Sequence, residues 1–133
     1  MNEAGVKRLA DMLDPENHKG TVVIGGKCDI SDRYVEPTII DSPSLDSRIM
    51  KEEIFGPILP ILEFDSIDQV IGFINEKPKP LALYYFGSKN KDKVGESTSS
   101  GAYVVNEALF QVTNPNFPFG GVGNSGNGKY HGV

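Results

Sequence analysis

Residues 58–86 constrain the fold of this chain more than any other stretch. Ile58 to Phe64 is an apolar run of strand length. After Ser66, the residues Ile67, Val70, Ile71 and Ile74 recur at helical spacing until Pro78 and Pro80 stop them, and Leu81 to Phe86 forms a second apolar run. Ser66 with Gln69 three positions on reads as a capping box, in which side-chain oxygens take up backbone donors left free at a helix start. The polar segment Asn90 to Ser100 predicts a weak helix interrupted by Gly95, and Ala102 to Asn106 a third strand. The order is β-α-β-α-β, which predicts an α/β fold with a mostly parallel sheet and right-handed crossovers. Pro60 has no N–H to give to a ladder, so its strand is expected at an edge or at a bulge.

The flanks fit around this unit. Val6, Leu9, Ala10 and Leu13 share a helical face and Asp14-Pro15 ends it, predicting an amphipathic helix from about Asn2 to Leu13. Thr21 to Ile24 and Tyr34 to Ile40 are β-rich runs around the polar turn Asp29-Ile30-Ser31-Asp32, and are expected to pair as a hairpin. From Thr113 onward the chain is rich in Asn, Gly and Pro, a carboxyl-terminal loop. At 133 residues, without a repeat or linker, a single domain is expected.

Composition removes several classes of function. With 18 acidic against 13 basic residues the net charge is −5, and no basic run with interleaved aromatics exists to track a phosphate backbone, so no nucleic-acid partner is expected. One cysteine, Cys28, and two histidines, His18 and His131, give no zinc-ligand spacing, and no metal site is expected. No stretch has the length or apolarity of a signal peptide or membrane span, so the chain reads as soluble and intracellular.

Gly121-Val122-Gly123-Asn124-Ser125-Gly126 matches the Gly-x-Gly-x-x-Gly dinucleotide fingerprint letter for letter. That fingerprint works by turning a strand into a helix whose first amides face a pyrophosphate. Here two prolines, Pro115 and Pro118, precede it, and too few residues follow for a helix and an acidic ribose partner. It is read as a plain glycine-rich loop.

Lys51-Glu52-Glu53-Ile54-Phe55-Gly56-Pro57 resembles the EEIFGP motif of the aldehyde dehydrogenase superfamily. RYVEPTII before it, then PILPILEF, KPLALYYF, TSSGAYVVN and FPFGGVGNSGNGKYHG after it, follow the order of the class 3, or fatty aldehyde, branch. The resemblance covers nearly the whole chain, and implies that residues 1–133 are the carboxyl-terminal portion of that family's catalytic domain. Family members are several times longer. Their Rossmann-type domain for NAD or NADP, their nucleophilic cysteine, their glutamate base and their oxyanion asparagine correspond to nothing in this chain, which is thus expected to lack material at both termini and to be inactive alone.

The resemblance assigns two cofactor contacts. The second glutamate of the motif, Glu53, would accept hydrogen bonds from the nicotinamide ribose hydroxyls, and Phe55 would pack near the nicotinamide ring. An ionised carboxylate has two acceptor oxygens for the two donors of a vicinal diol, and Gly56-Pro57 stiffens the turn that presents them. Sheet topology alone does not find this site, because open α/β sheets usually bind ligands at the carboxyl ends of strands and Glu53 precedes one. Phe119, in the PFGG loop, is the substrate-side candidate, with the role of simple loop anchor beside it. Asn106, ending the third strand, is read as tying down its own loop. No residue is assigned a catalytic role: Lys27 and Asp29 offset one another beside Cys28, and nothing local would activate its thiol. The expected function is that of part of an NAD(P)-dependent aldehyde dehydrogenase, with an aldehyde as substrate of the complete enzyme. The alternative is a truncated relative serving as a structural or interaction subunit. Either way, strand edges and apolar faces would call for cover by the absent amino-terminal portion or by another chain.

Overall fold

The computed structural model describes residues 1–131. They form two compact units, Met1–Glu63 and a second beginning at Phe64.

The first unit opens with helix α1, Glu3–Met12, capped by the Asn2 side chain, which accepts from the Gly5 amide at 2.8 Å. Val6, Leu9 and Met12 are buried along one face, as the helical spacing predicts. A short helix α2, Pro15–His18, begins at the breaker Asp14-Pro15, with proline at its first turn, where a missing N–H costs nothing. Strands β1, Thr21–Ile24, and β4, Thr38–Asp41, pair antiparallel, as expected of a hairpin. The connection between them is more ordered than its polar sequence suggests, because β2, Cys28–Asp29, and β3, Tyr34–Val35, form a small ladder of their own. The expected run Tyr34 to Ile40 is thus split at Glu36-Pro37. A bulge at Val23 offsets β1 against β4.

Strand β5, Ile58–Ile61, lies parallel to β4 with Pro60 opposite Ile40, and the sheet order β1-β4-β5 puts it at the edge. This is where a proline can be accommodated. The strand is shorter than the apolar run Ile58 to Phe64 from which it was read. The core of this unit gathers Val6, Leu9, Met12 and Leu13 of the first helical segment against Val35, Ile40, Ile49 and Ile58. A 3-10 turn, Arg48–Met50, carries Ile49 into it.

The second unit holds α3, Ile67–Asn75, β6, Ala82–Tyr85, α4, Lys91–Ser97, and β7, Ala102–Val105. The Ser66 hydroxyl accepts from the Gln69 amide at 3.3 Å, as read from the sequence, but the reciprocal leg lands one residue early: the Gln69 side chain accepts from Asp65 at 3.0 Å. Strands β6 and β7 pair in parallel register. Ile71 of α3 and Val94 of α4 are buried, and the two helices are also joined by an Asp68–Lys93 ion pair at 2.6 Å and by Asn75 donating to the Ser97 carbonyl. The α/β order therefore stands, with a mixed sheet in the first unit and a parallel pair in the second rather than one unbroken ladder. A one-turn helix α5, Phe110–Thr113, leads into the glycine-rich tail.

Among the described residues, no helix is long and apolar enough to cross a membrane.

Candidate cofactor-facing loop

The loop Lys51 to Pro57 joins the Arg48–Met50 turn to β5, and it is held from several directions. At its start the Glu52 amide donates to the Arg48 carbonyl at 3.0 Å, and the Glu52 carboxylate accepts from Arg48 Nε at 2.7 Å. Arg48 also binds Asp11 of α1 at 2.9 Å. The hydrogen bond from Arg48 holds the Glu52 carboxyl below the usual glutamate range. At the loop's end, the Thr38 amide of β4 donates to the Pro57 carbonyl at 2.8 Å. In between, Ile54 packs on the core, and Gly56 lies so close to Leu9 that a Cβ there would stand 2.7 Å from Leu9 Cδ2 and nearer still to Cδ1.

This anchoring gives two neighbouring acids different fates. Glu52 is engaged in an ion pair that fastens the loop. Glu53 is exposed, and among the described residues its carboxylate has neither an ion-pair nor a hydrogen-bond partner. Two residues on, Phe55 is 79% exposed with a backbone φ of +44°. A left-handed backbone costs an ordinary residue about 1–2 kcal/mol, and leaving a phenylalanine ring in water forfeits roughly 2 kcal/mol of burial. An aromatic held in that conformation and pushed outward is an arrangement the local fold imposes rather than one the residue prefers. The loop thus offers a carboxylate with both oxygens free and an open aromatic face, on a backbone pinned behind them. That acceptor and that ring face fit a ribose diol and a planar ring, the two groups a nicotinamide riboside would present.

Sequence reasoning missed Arg8, the residue of α1 that reaches the back of this loop. Its guanidinium donates to the Ile54 carbonyl through Nη2 and to the Glu53 carbonyl through Nη1 at 3.4 Å. A contact spanning 45 residues leaves no local signal, and a backbone acceptor leaves no signature in residue type.

The other candidates lie in the second unit. Asn106 takes φ +58°, and its Oδ1 accepts from the Gly87 amide at 2.7 Å, while its own amide donates to Tyr85 at 2.8 Å. It ties the segment following β6 to the end of β7, as its reading as a loop fastener expects. Phe119 is half-buried and pairs with Tyr130 through two backbone hydrogen bonds, at 2.8 and 2.9 Å, and an edge-on ring contact at 5.7 Å. That is the geometry of a loop anchor, with part of the ring still accessible. Gly121 to Gly126 closes on itself: the Val122 amide donates to the Ser125 hydroxyl at 2.9 Å, and the Ser125 amide to the Val122 carbonyl at 3.3 Å. A 3-10 turn of three residues stands where a dinucleotide fingerprint would start its helix. Cys28 is half-buried in β2, and desolvation pushes its thiol above the ordinary value, the wrong direction for a nucleophile.

The sequence model of the aldehyde dehydrogenase family matches residues 1–133. "Aldehyde dehydrogenase family 3 comG" of Dictyostelium discoideum is 46% identical over 134 residues, covering 99% of this chain and 28% of the relative. Among solved structures, the "substrate bound state of Staphylococcus aureus AldH" superposes with a TM-score of 0.89 at 45% identity, covering 98% of this chain and 28% of that one. An aldehyde dehydrogenase of Mycobacterium tuberculosis complexed with NAD+ gives 0.82 at 26% identity, over 96% and 27%. The chain spans about 28% of the length of the Dictyostelium and Staphylococcus relatives.

Proposed function

The chain belongs to the aldehyde dehydrogenase family, and from that premise we propose that residues 1–133 form the carboxyl-terminal portion of a catalytic domain that oxidises aldehydes to carboxylic acids with NAD or NADP. The Glu53 carboxylate accepts hydrogen bonds from the two hydroxyls of the nicotinamide ribose, and Phe55 lies beside the nicotinamide ring. When bound, the cofactor supplies the hydride acceptor for the aldehyde. The observation that carries this reading is the division of labour between adjacent acids, one engaged by Arg48 and one left free beside an exposed, left-handed phenylalanine. A carboxylate and an aromatic face also both favour the positive charge of an oxidised nicotinamide. Phe119 contributes to the wall on the substrate side, held in place by Tyr130.

Chemistry needs more than this chain holds. An aldehyde is attacked by an activated thiolate in this family, and Cys28, with its raised pKa and no neighbouring base, is not that group. The isolated chain is therefore inactive, and the nucleophile, the general base and the Rossmann-type domain belong to a longer polypeptide whose remainder also covers the exposed apolar residues Val23, Ile24 and Leu59. The reading as a separate interaction module is not favoured, because the family match runs over residues 1–133.

Titration with NAD, followed by saturation transfer to the ribose and nicotinamide protons, tests the cofactor contact. Glu53→Gln is expected to weaken binding about tenfold, the loss of one charge-assisted hydrogen bond. Equal affinity of parent and variant would remove Glu53 from the site. Incubating the chain with NAD and a medium-chain aldehyde is expected to give no turnover above a protein-free blank; turnover would overturn the claim of inactivity.

A further inference from the structure

We propose that Arg8 is a positioning residue for the cofactor-facing loop: its guanidinium fork, reaching out from α1, holds the Glu53 and Ile54 carbonyls and so keeps Phe55 in the left-handed conformation that turns its ring outward. This rests on the reading of Glu53 and Phe55 as the nicotinamide-side contact.

The argument starts from the helix. Val6, Leu9 and Met12 are buried, and Arg8 flanks that stripe, half-buried, with Nη1 also 3.7 Å from the Met12 sulfur. The stem is thus packed along the helix, and only the planar head is left to reach the loop. The Ile54 carbonyl and the Phe55 amide share one peptide plane. Rotating that plane is the motion that would carry Phe55 from positive to ordinary negative φ, and it would swing the carbonyl away from Arg8. A charge-assisted hydrogen bond to that oxygen therefore opposes the relaxation the backbone would otherwise undergo. The second donor, on Glu53, fixes the residue that bears the free carboxylate. An ammonium on a flexible stem presents no such pair of donors in one plane, so arginine and lysine are not equivalent here. Leu9, the next residue of the same helix, meets Gly56 on the far side of Phe55, so one helix grips the loop both before and after the ring.

The test uses the whole chain with Arg8→Met, which keeps a long apolar stem, and Arg8→Lys, which keeps the charge and serves alone should the first variant not fold. The one-bond Cα–Hα coupling of Phe55 by NMR reports the sign of φ without any nucleotide. It is expected to move toward the negative-φ value in Arg8→Met and partway in Arg8→Lys, with the shifts of α1 and β4 unchanged. Saturation transfer to the ribose protons of NAD is expected to require about tenfold more protein for the same signal in Arg8→Met, with partial rescue by lysine. A Phe55 coupling that stays at the parent value in a folded variant overturns the proposal. So does a changed coupling with NAD binding intact where Glu53→Gln weakens it, and in that case the Glu53 contact survives. A parent chain that transfers nothing to NAD at millimolar concentration removes the cofactor reading and Arg8's part in it together, and is recognised by the parent's own silence.

Discussion

Gly56→Ala should be disproportionately costly for one added methyl group. Gly56 has no need of a left-handed backbone, so the effect isolates sterics. A Cβ at this position would stand 2.7 Å from Leu9 Cδ2 and 3.1 Å from Cγ, with Cδ1 nearer still. Leu9 cannot step aside, since it is 0% exposed and enclosed by the core of the first unit. Overpacking of this kind costs about 1–3 kcal/mol. Shortening the obstacle should recover most of it: Leu9→Val alone gives up one buried methylene, about 1 kcal/mol, but removes both Cδ atoms. In that background Gly56→Ala should cost less than about 0.5 kcal/mol, giving a coupling of at least about 0.5 kcal/mol between residues 47 positions apart in sequence. Urea unfolding followed by far-ultraviolet circular dichroism measures all four corners of the cycle. Additive single effects, or a neutral Gly56→Ala, would refute the claim that this glycine is dictated by the close approach of the helix.

Three further outcomes follow from other contacts. The Glu52 carboxyl has its pKa lowered by Arg48, so its contribution to stability is present above the ordinary glutamate pKa and is lost as pH falls through the folded value. Glu52→Gln should therefore flatten the acid side of the urea midpoint against pH, and added salt should weaken the parent's advantage near pH 6, since the pair is exposed. At the end of β7, Asn106→Ala should destabilise by about 2 kcal/mol, one part from the left-handed backbone and one from the lost bond to the Gly87 amide, whereas Asn106→Gly should lose only about 1 kcal/mol. Equal losses would mean that the backbone conformation costs nothing there. Alkylation of Cys28 by iodoacetamide near pH 8 should be slower in the folded chain than in urea, because burial disfavours the thiolate; equal rates would count against the raised thiol.

What the sequence makes legible divides along physical lines. Patterns that repeat within one element survive inspection: the stripe of Val6, Leu9 and Leu13, the stop at Asp14-Pro15, the cap at Ser66, and the edge position forced on β5 by Pro60 all reappear in the structure. Strand pairing is less legible, because alternating order specifies that strands run parallel without specifying which neighbour each chooses; β5 pairs with β4, a strand that no α-helix separates from it. The polar turn around Asp29 conceals a two-residue ladder too short to show any period. The candidate site is the extreme case. Its motif is readable by resemblance, yet the property that would make it a site comes from contacts that side-chain spacing does not encode: Arg48 distinguishes Glu52 from Glu53, Arg8 acts on backbone oxygens, and Leu9 leaves room only for glycine at position 56. Read locally, Phe55 is one more apolar residue due for the core; the same helix that supplies the core's Val6, Leu9 and Met12 also holds the backbone that turns it outward.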